Sequence, residues 1–126
     1  MKIKLNDNTE LNVIQVNGGG RYFQGQNRDS LEFVFAKDAY TFTELEALFA
    51  DKTKTEKVTT IDDADTENPV TLGVYDDYVL RVSMELKPVV ITLATTETPE
   101  VTEERITVVM AQLTYIEKQL AKLGLL

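Results

Sequence analysis

The sequence predicts an α+β fold, a mostly antiparallel, bent β-sheet or a small barrel with one short helix and one long C-terminal helix. Three observations predict it. Apolar and polar residues alternate with the period of two that marks half-buried strands through much of residues 1–97. The spacing becomes helical near 42–50, and an apolar repeat with intervals of three and four residues fills the last quarter of the chain. We therefore divide the chain into a β-rich domain, 1–97, and a C-terminal amphipathic helix, 98–124.

Short strands separated by turn residues account for the first part of the chain. Ile3 and Leu5 share one face, and Asn6–Thr9 has turn chemistry, so a hairpin is expected there. Three consecutive glycines follow at 18–20. Because ordered glycines lose much backbone entropy, we expect them at a turn, a bulge or a flexible connection rather than inside a strand.

The short helix is predicted from its cap and its apolar face. Thr41 and Glu44 have the spacing of a capping box, in which each side chain accepts a hydrogen bond from a backbone N–H at the helix start. One side of the helix is apolar and is expected to cover the end of a sheet: Phe42, Leu45, Leu48 and Phe49.

The clearest alternation begins at Tyr78 and continues to Leu86, with apolar residues at even positions. After Pro88 the apolar residues stand at odd positions. A period of two changes phase only through a bulge or a bend, and proline is tolerated at bulges, so a kink is expected at Lys87–Pro88.

The last segment has the signals of a helix start and stop. Thr98 is the expected N-cap, Pro99 and Glu100 suit the first turn, and Gly124 suits the end. One stripe of this predicted helix, which we call the interaction seam, is entirely apolar: Ile106, Val109, Leu113, Ile116, Leu120 and Leu123. A second helix face carries Val108, Ala111 and Tyr115.

A stripe this narrow is typical of helices that pack against a partner helix. The alternative is that the helix packs on its own sheet, and the second face supports some internal contact. We favour association, with a homo-oligomer as the expected state.

Composition excludes much chemistry. The chain of 126 residues has no cysteine and no histidine, so thiolate nucleophiles, disulfides, Cys/His zinc sites and imidazole catalysis are impossible. Its formal charge of −8 disfavours nucleic acid and anionic membranes as partners. With no apolar signal region after Met1–Leu5, a cytoplasmic location in the producing cell is expected. No cofactor is expected.

Two acidic segments are possible sites. Asp63, Asp65 and Glu67 repeat part of a calcium-loop spacing, but Asn68 stands where that loop has glycine and Val74 where it has glutamate. Asp76–Asp77 lies between two alternating runs, as a turn does. We expect no metal site, no catalytic residue and no enzyme activity.

A binding module for carbohydrate or a host surface is the second functional hypothesis. It predicts that aromatic residues line an exposed groove, and the candidates are Tyr22, Phe23, Tyr75 and Tyr78.

The run 20–35, which reads Gly-Arg-Tyr-Phe-Gln-Gly-Gln-Asn-Arg-Asp-Ser-Leu-Glu-Phe-Val-Phe, resembles small uncharacterised proteins of prophage tail and baseplate gene modules. The resemblance covers the N-terminal third and the general layout, and it contains no catalytic signature. It implies a structural part of a symmetric tail assembly, with phage structural proteins as partners and a final place in a virion.

Overall fold

A computed structural model describes residues 1–93, 95–97 and 99–125, with the backbone alone at 91 and 92. Within them the elements follow in the order β1 (Lys2–Lys4), β2 (Glu10–Asn12), β3 (Gln15–Phe23), β4 (Gln26–Ala36), α1 (Phe42–Ala50), α2 (Lys52–Thr55), β5 (Lys57–Asp62), β6 (Val70–Asp76), β7 (Leu80–Thr92), β8 (Val101–Ala111) and α3 (Tyr115–Lys122).

The strands form two four-stranded sheets. Sheet A has the order β2-β1-β5-β6, sheet B has the order β3-β4-β8-β7, and the strand pairs in both are antiparallel. The predicted mixed fold with mostly antiparallel strands is therefore confirmed. The described strands form no closed barrel, because each sheet keeps two edge strands.

The core lies between the two sheets and is completed by α1. Phe33 and Phe35 of β4 meet Phe49 of α1, with ring centroids 5.4 and 5.9 Å apart. The cluster also draws on β1, β2, β5 and β8, through Ile3, Leu11, Val58 and Val108 among others. Each sheet thus buries its apolar face against the other.

Helix α1 begins as its sequence predicts. Thr41 Oγ1 accepts a hydrogen bond from the Glu44 N–H at 3.1 Å, and a Glu44 carboxylate oxygen accepts one from the Thr41 N–H at 3.4 Å. Leu45 and Phe49 are buried, whereas Phe42 at the first position is exposed. The short helix and its capping box are confirmed.

The expectation for the three glycines is wrong. Gly18–Gly20 lie inside β3 and pair with Leu31, Ser30 and Asp29 of β4. A methyl group added at any of the three would meet nothing within 4 Å, so open space flanks this edge strand. The turn comes later, at Gln24 and Gly25, whose φ angles of 51° and 76° suit a tight two-residue hairpin.

The long C-terminal helix over 98–124 is also wrong. Residues Val101–Ala111 form β8, the second strand from the β7 edge of sheet B, and α3 has only eight residues. A strand buried on both faces is a continuous apolar run, and a helical spacing can be read from it. The run 106–109 is Ile-Thr-Val-Val, all β-branched, which favours a strand. The proposed N-cap Thr98 lies outside the described residues.

The interaction seam therefore does not lie on one helix. Its residues are divided between β8 (Ile106, Val109), the connection after it (Leu113), α3 (Ile116, Leu120) and the end of that helix (Leu123). The second helix face is divided in the same way, with Val108 and Ala111 in β8 and Tyr115 at the start of α3. In β8, Ile106 and Val108 belong to the core, while Val109 lies on the opposite sheet face.

The kink expected at Lys87–Pro88 is absent, because Lys87 and Pro88 pair in register with Arg105 and Glu104. The register of β7 shifts instead between Arg81 and Ser83 and between Val90 and Thr92. Since β7 is an edge strand, a proline without an N–H is tolerated in it.

Candidate functional site

Strands β7 and β8 continue beyond the rest of sheet B. Strand β4 pairs with β8 only as far as Ala36, which lies opposite Arg105. Farther out, residues 88–92 of β7 and 101–104 of β8 pair only with each other. We call this two-stranded segment, together with the described residues that connect its strands (93, 95–97, 99 and 100), the arm. A two-stranded ribbon without further strands beside it is marginally stable in water.

The apolar face of the core continues onto the arm and becomes uncovered there. Leu86 lies opposite Ile106, and the two side chains point to the same sheet face. Ile106 is 3% exposed, but Leu86 is 49% exposed and Val90 farther along is 46% exposed. Two further large apolar side chains are exposed towards the outer end, Leu93 and Val101.

The outer end of the arm is acidic. At its base, Glu104 pairs with Lys37 at 2.9 Å and Glu103 with Arg105 at 3.2 Å. Farther out, Glu97 and Glu100 make no ion pair with any described residue. Exposed apolar side chains thus lie close in sequence to carboxylates that have no partner charge among the described residues.

A cleft of about 680 Å³ lies at the other end of β8. It is formed by the β3–β4 hairpin, the segment after β8 and α3, and its walls include Gly20, Arg21, Tyr22, Asn27, Arg28, Asp29, Gln112, Leu113, Thr114, Tyr115 and Lys118. Three of these residues are basic and one is acidic, which contrasts with the acidic chain as a whole. Tyr22 and Tyr115 are largely exposed.

Buried Arg28 holds the cleft together. Its guanidinium donates to the carbonyl oxygens of Phe23, at 2.9 Å, and Gln112, at 3.2 Å. It also forms a bidentate ion pair with Glu117 of α3, in which Nη2 donates to Oε2 at 3.1 Å and Nη1 donates to Oε1. Four contacts from one side chain therefore join the β3–β4 hairpin, the chain after β8 and the final helix.

Glu117 also caps α3. One of its carboxylate oxygens accepts a hydrogen bond from the Thr114 N–H at 2.9 Å, and the Glu117 N–H donates to Thr114 Oγ1. The Arg28 hydrogen bonds, followed by the Thr114 backbone N–H, lower the pKa of the Glu117 carboxyl from 4.5 to about 2. This carboxyl stays ionised well below neutral pH.

Helix α3 keeps a reduced part of the predicted seam. Ile116 and Leu123 are largely exposed and Leu120 between them is half-buried. At eight residues the helix is far shorter than the three or four heptads that a coiled coil needs. The helix therefore exposes a small apolar strip and is too short to form a coiled-coil interface.

Residues of the two acidic segments, 63–67 and 76–77, make hydrogen bonds and an ion pair within the chain. Asp63 pairs with the N-terminal ammonium at 3.1 Å, and Asp65 accepts hydrogen bonds from Glu67 N–H and Asn68. The Asp77 N–H donates to the Glu56 carbonyl at 2.8 Å, where the chain passes from β6 in sheet A to β7 in sheet B. Among the described residues, no three acidic side chains are placed to hold a metal ion.

The four aromatic candidates for a carbohydrate groove have different surroundings. Tyr22 alone among them lines the cleft, while Phe23 and Tyr75 are half-buried. Tyr78 is buried against Tyr75, with ring centroids 5.9 Å apart, and burial raises the pKa of its phenol. Tyr115, which the helical spacing predicted to lie on the second helix face, is the second aromatic residue in the cleft.

Compared with protein-family models, curated proteins and solved structures, the chain matches none of them. The likeness to prophage tail and baseplate proteins stays a prediction. No helix in the described part of the chain is long and apolar enough to cross a bilayer.

Proposed function

We propose that this protein is a non-enzymatic structural component that works by associating with other protein subunits, first with copies of itself, through the arm. The observation that carries the proposal is the uncovered apolar face of the arm. A place in a phage tail or baseplate assembly agrees with the sequence resemblance and is part of the proposal.

The energy available from the arm is adequate for specific contact. Fully burying a large aliphatic side chain stabilises by about 1.5–3 kcal/mol, and Leu86, Val90, Leu93 and Val101 are each roughly half exposed or more. Val101 lies on the sheet face opposite to that of Leu86 and Val90, so a partner has to enclose both faces of the arm to cover all four, and it then gains on the order of 4 kcal/mol before polar contacts are added. Because the chain carries a net charge of −8, copies repel each other unless specific contacts overcome the repulsion.

The geometry favours binding over catalysis. In the lining of the cleft, Asp29 is the one carboxylate. A paired acid-base mechanism needs two convergent carboxylates, and the described cleft offers no second one for it.

The test is the molecular mass in solution, measured by sedimentation over a range of concentrations. In the first variant, residues 88–104 are replaced by Asn-Gly, which connects Lys87 to Arg105, already paired across the ribbon. We expect the full chain to be oligomeric and the shortened chain to be a folded monomer. A full chain that stays monomeric at all concentrations contradicts the proposal.

A matched pair of point variants keeps the test specific. Val90→Asp with Leu93→Asp is expected to give monomers. Val70→Asp with Leu72→Asp, on edge strand β6 at comparable exposure, is expected to leave the mass unchanged. If the β6 variant dissociates and the arm variant does not, the arm is not the interface.

The cleft gives a second candidate function, carbohydrate binding. Exposed Tyr22 and Tyr115 can stack on sugar rings, and Asn27 and Gln112 lie among them as hydrogen-bonding side chains. Titration of oligosaccharides, followed by NMR shifts, is expected to perturb these residues and to fail in Tyr22→Ala. Shifts of equal size in that variant contradict sugar binding in the cleft.

A further inference from the structure

The arm and the cleft lie at opposite ends of one strand. Strand β8 begins at the outer end of the arm with Val101 and ends at Ala111, and the next residues, Gln112, Leu113 and Thr114, form part of the cleft wall. Eleven strand residues span about 35 Å. The arm of one molecule therefore cannot reach its own cleft.

Their chemistry is complementary. The outer end of the arm has exposed Leu93 and Val101 beside Glu97 and Glu100, whose charges are unpaired among the described residues. The cleft has the exposed rings of Tyr22 and Tyr115 beside basic Arg21 and Lys118. Aliphatic side chains can pack on the aromatic rings while the carboxylates approach the cations.

The cations of the cleft are available for a partner. Arg21 makes no ion pair with any residue that the structure describes, and Lys118 reaches Asp77 only at 4.0 Å. Arg21 lies directly across from Arg28 in the strand pairing, and the charge of Arg28 is balanced by Glu117, whereas Arg21 has no such partner among the described residues. An incoming carboxylate supplies Arg21 with the ion-pair partner that it lacks among the described residues.

We propose that the arm of one copy docks into the cleft of a second copy, head to tail. This inference rests on the proposed function and names its partner surface. The contact joins two different surfaces, so each copy keeps a free arm at one end and a free cleft at the other. Repetition of such a contact produces a closed ring or an open filament rather than a two-fold dimer.

The test uses variants that each remove one half of the contact. The arm-shortened chain keeps its cleft, and Arg21→Glu with Lys118→Glu keeps its arm. We expect each alone to be monomeric at concentrations at which the full chain associates, with affinity reduced at least tenfold. Mixed together they should form a one-to-one complex that grows no further, because only one intact arm and one intact cleft are present.

A charge-matched control and a charge exchange complete the design. Lys52→Glu with Lys57→Glu makes the same change in net charge away from the cleft and should associate as the full chain does. Glu97→Lys with Glu100→Lys should dissociate the full chain, and combining it with the Arg21 and Lys118 reversals should restore association.

The outcomes separate the inference from the proposed function. If the arm variants dissociate while the Arg21/Lys118 reversal associates normally, the arm is an interface and the cleft is not its receptor. If the mixture stays monomeric although each parent variant is folded, the head-to-tail contact is wrong. If the full chain itself is monomeric, both the proposed function and its partner surface are wrong.

Discussion

Replacement of Glu117 by glutamine tests the central contact of the cleft. Glutamine still fits the third position of the capping box, so α3 keeps its cap with Thr114. What it removes is the negative charge that balances buried Arg28. The Arg28 guanidinium then keeps its hydrogen bonds to the carbonyl oxygens of Phe23 and Gln112 but loses its ion pair with a carboxylate.

The expected loss of stability follows from the lowered pKa of the Glu117 carboxyl. A pKa lowered from 4.5 to about 2 corresponds to roughly 3.4 kcal/mol in favour of the ionised carboxyl in the folded state. The Glu117 side chain is 24% exposed, so solvent screens part of this energy. We expect the Glu117→Gln variant to lose about 1–2 kcal/mol of unfolding free energy at pH 7.

The pH dependence has a defined sign. The pKa of Glu117 is lower in the folded state than in the unfolded state. Its ionised carboxyl therefore contributes fully to the free energy of unfolding above pH 4.5, and this contribution is lost as the pH falls from 4.5 towards 2. At pH 3 about 40% of it should remain. The free energy of unfolding is measured by urea denaturation, followed by far-ultraviolet circular dichroism, at pH 7 and at pH 3.

Glu44→Gln is the matched control, since Glu44 fills the same position in the capping box of α1 without an arginine partner in the described contacts. It should change stability by a few tenths of a kcal/mol at either pH. A Glu117→Gln effect no larger than that of Glu44→Gln, or one that is the same at pH 7 and pH 3, refutes the reasoning.

Three further predictions concern the core and the sheets. Phe49→Ala removes a ring that is 1% exposed and should cost about 3–5 kcal/mol by urea denaturation. Gly18→Ala meets open space in an extended strand and should be neutral or stabilising by up to about 1 kcal/mol in the same assay. Gly73→Ala places a methyl group 3.0 Å from the phenol oxygen of Tyr75 and should destabilise. The raised pKa of Tyr78 means that stability falls as the pH rises above 10, and Tyr78→Phe should reduce this alkaline loss in thermal melts at pH 9 and pH 11.

Local sequence patterns predicted the parts of the fold that depend on a few neighbouring residues. The capping box of Thr41 and Glu44 correctly marks α1 because both partners lie in one turn. The hairpin around Asn6–Thr9 is confirmed as the β1–β2 pair for the same reason. Neither requires knowledge of what packs against the element.

The C-terminal region depends on distant partners, which explains the failed prediction there. The inner part of β8, residues 106–111, is buried on both faces between β4 and β7, so its apolar run lacks the alternation of a half-buried strand. Two signals favoured the correct structure: the β-branched run 106–109, and Thr114 with Glu117 as a capping box for a short final helix.

The cleft was beyond prediction from one sequence. Arg28 and Glu117 are 89 residues apart in the chain, and both are polar residues of common types. Nothing in their immediate sequence indicates that they pair. The arm was not predicted either, because the alternation from Tyr78 ends at Leu86, and which residues beyond it stay uncovered depends on where β4 ends.

The cleft contributes both to folding stability and to the proposed docking. The two effects are therefore tested by substitutions at different residues. Glu117 fixes the position of α3 through Arg28, so its substitution changes the shape of the cleft wall as well as the folding energy. Arg21 and Lys118 line the cleft but take no part in the core. Loss of association in their charge reversal, with the urea midpoint retained, therefore reports on the contact between copies rather than on the fold.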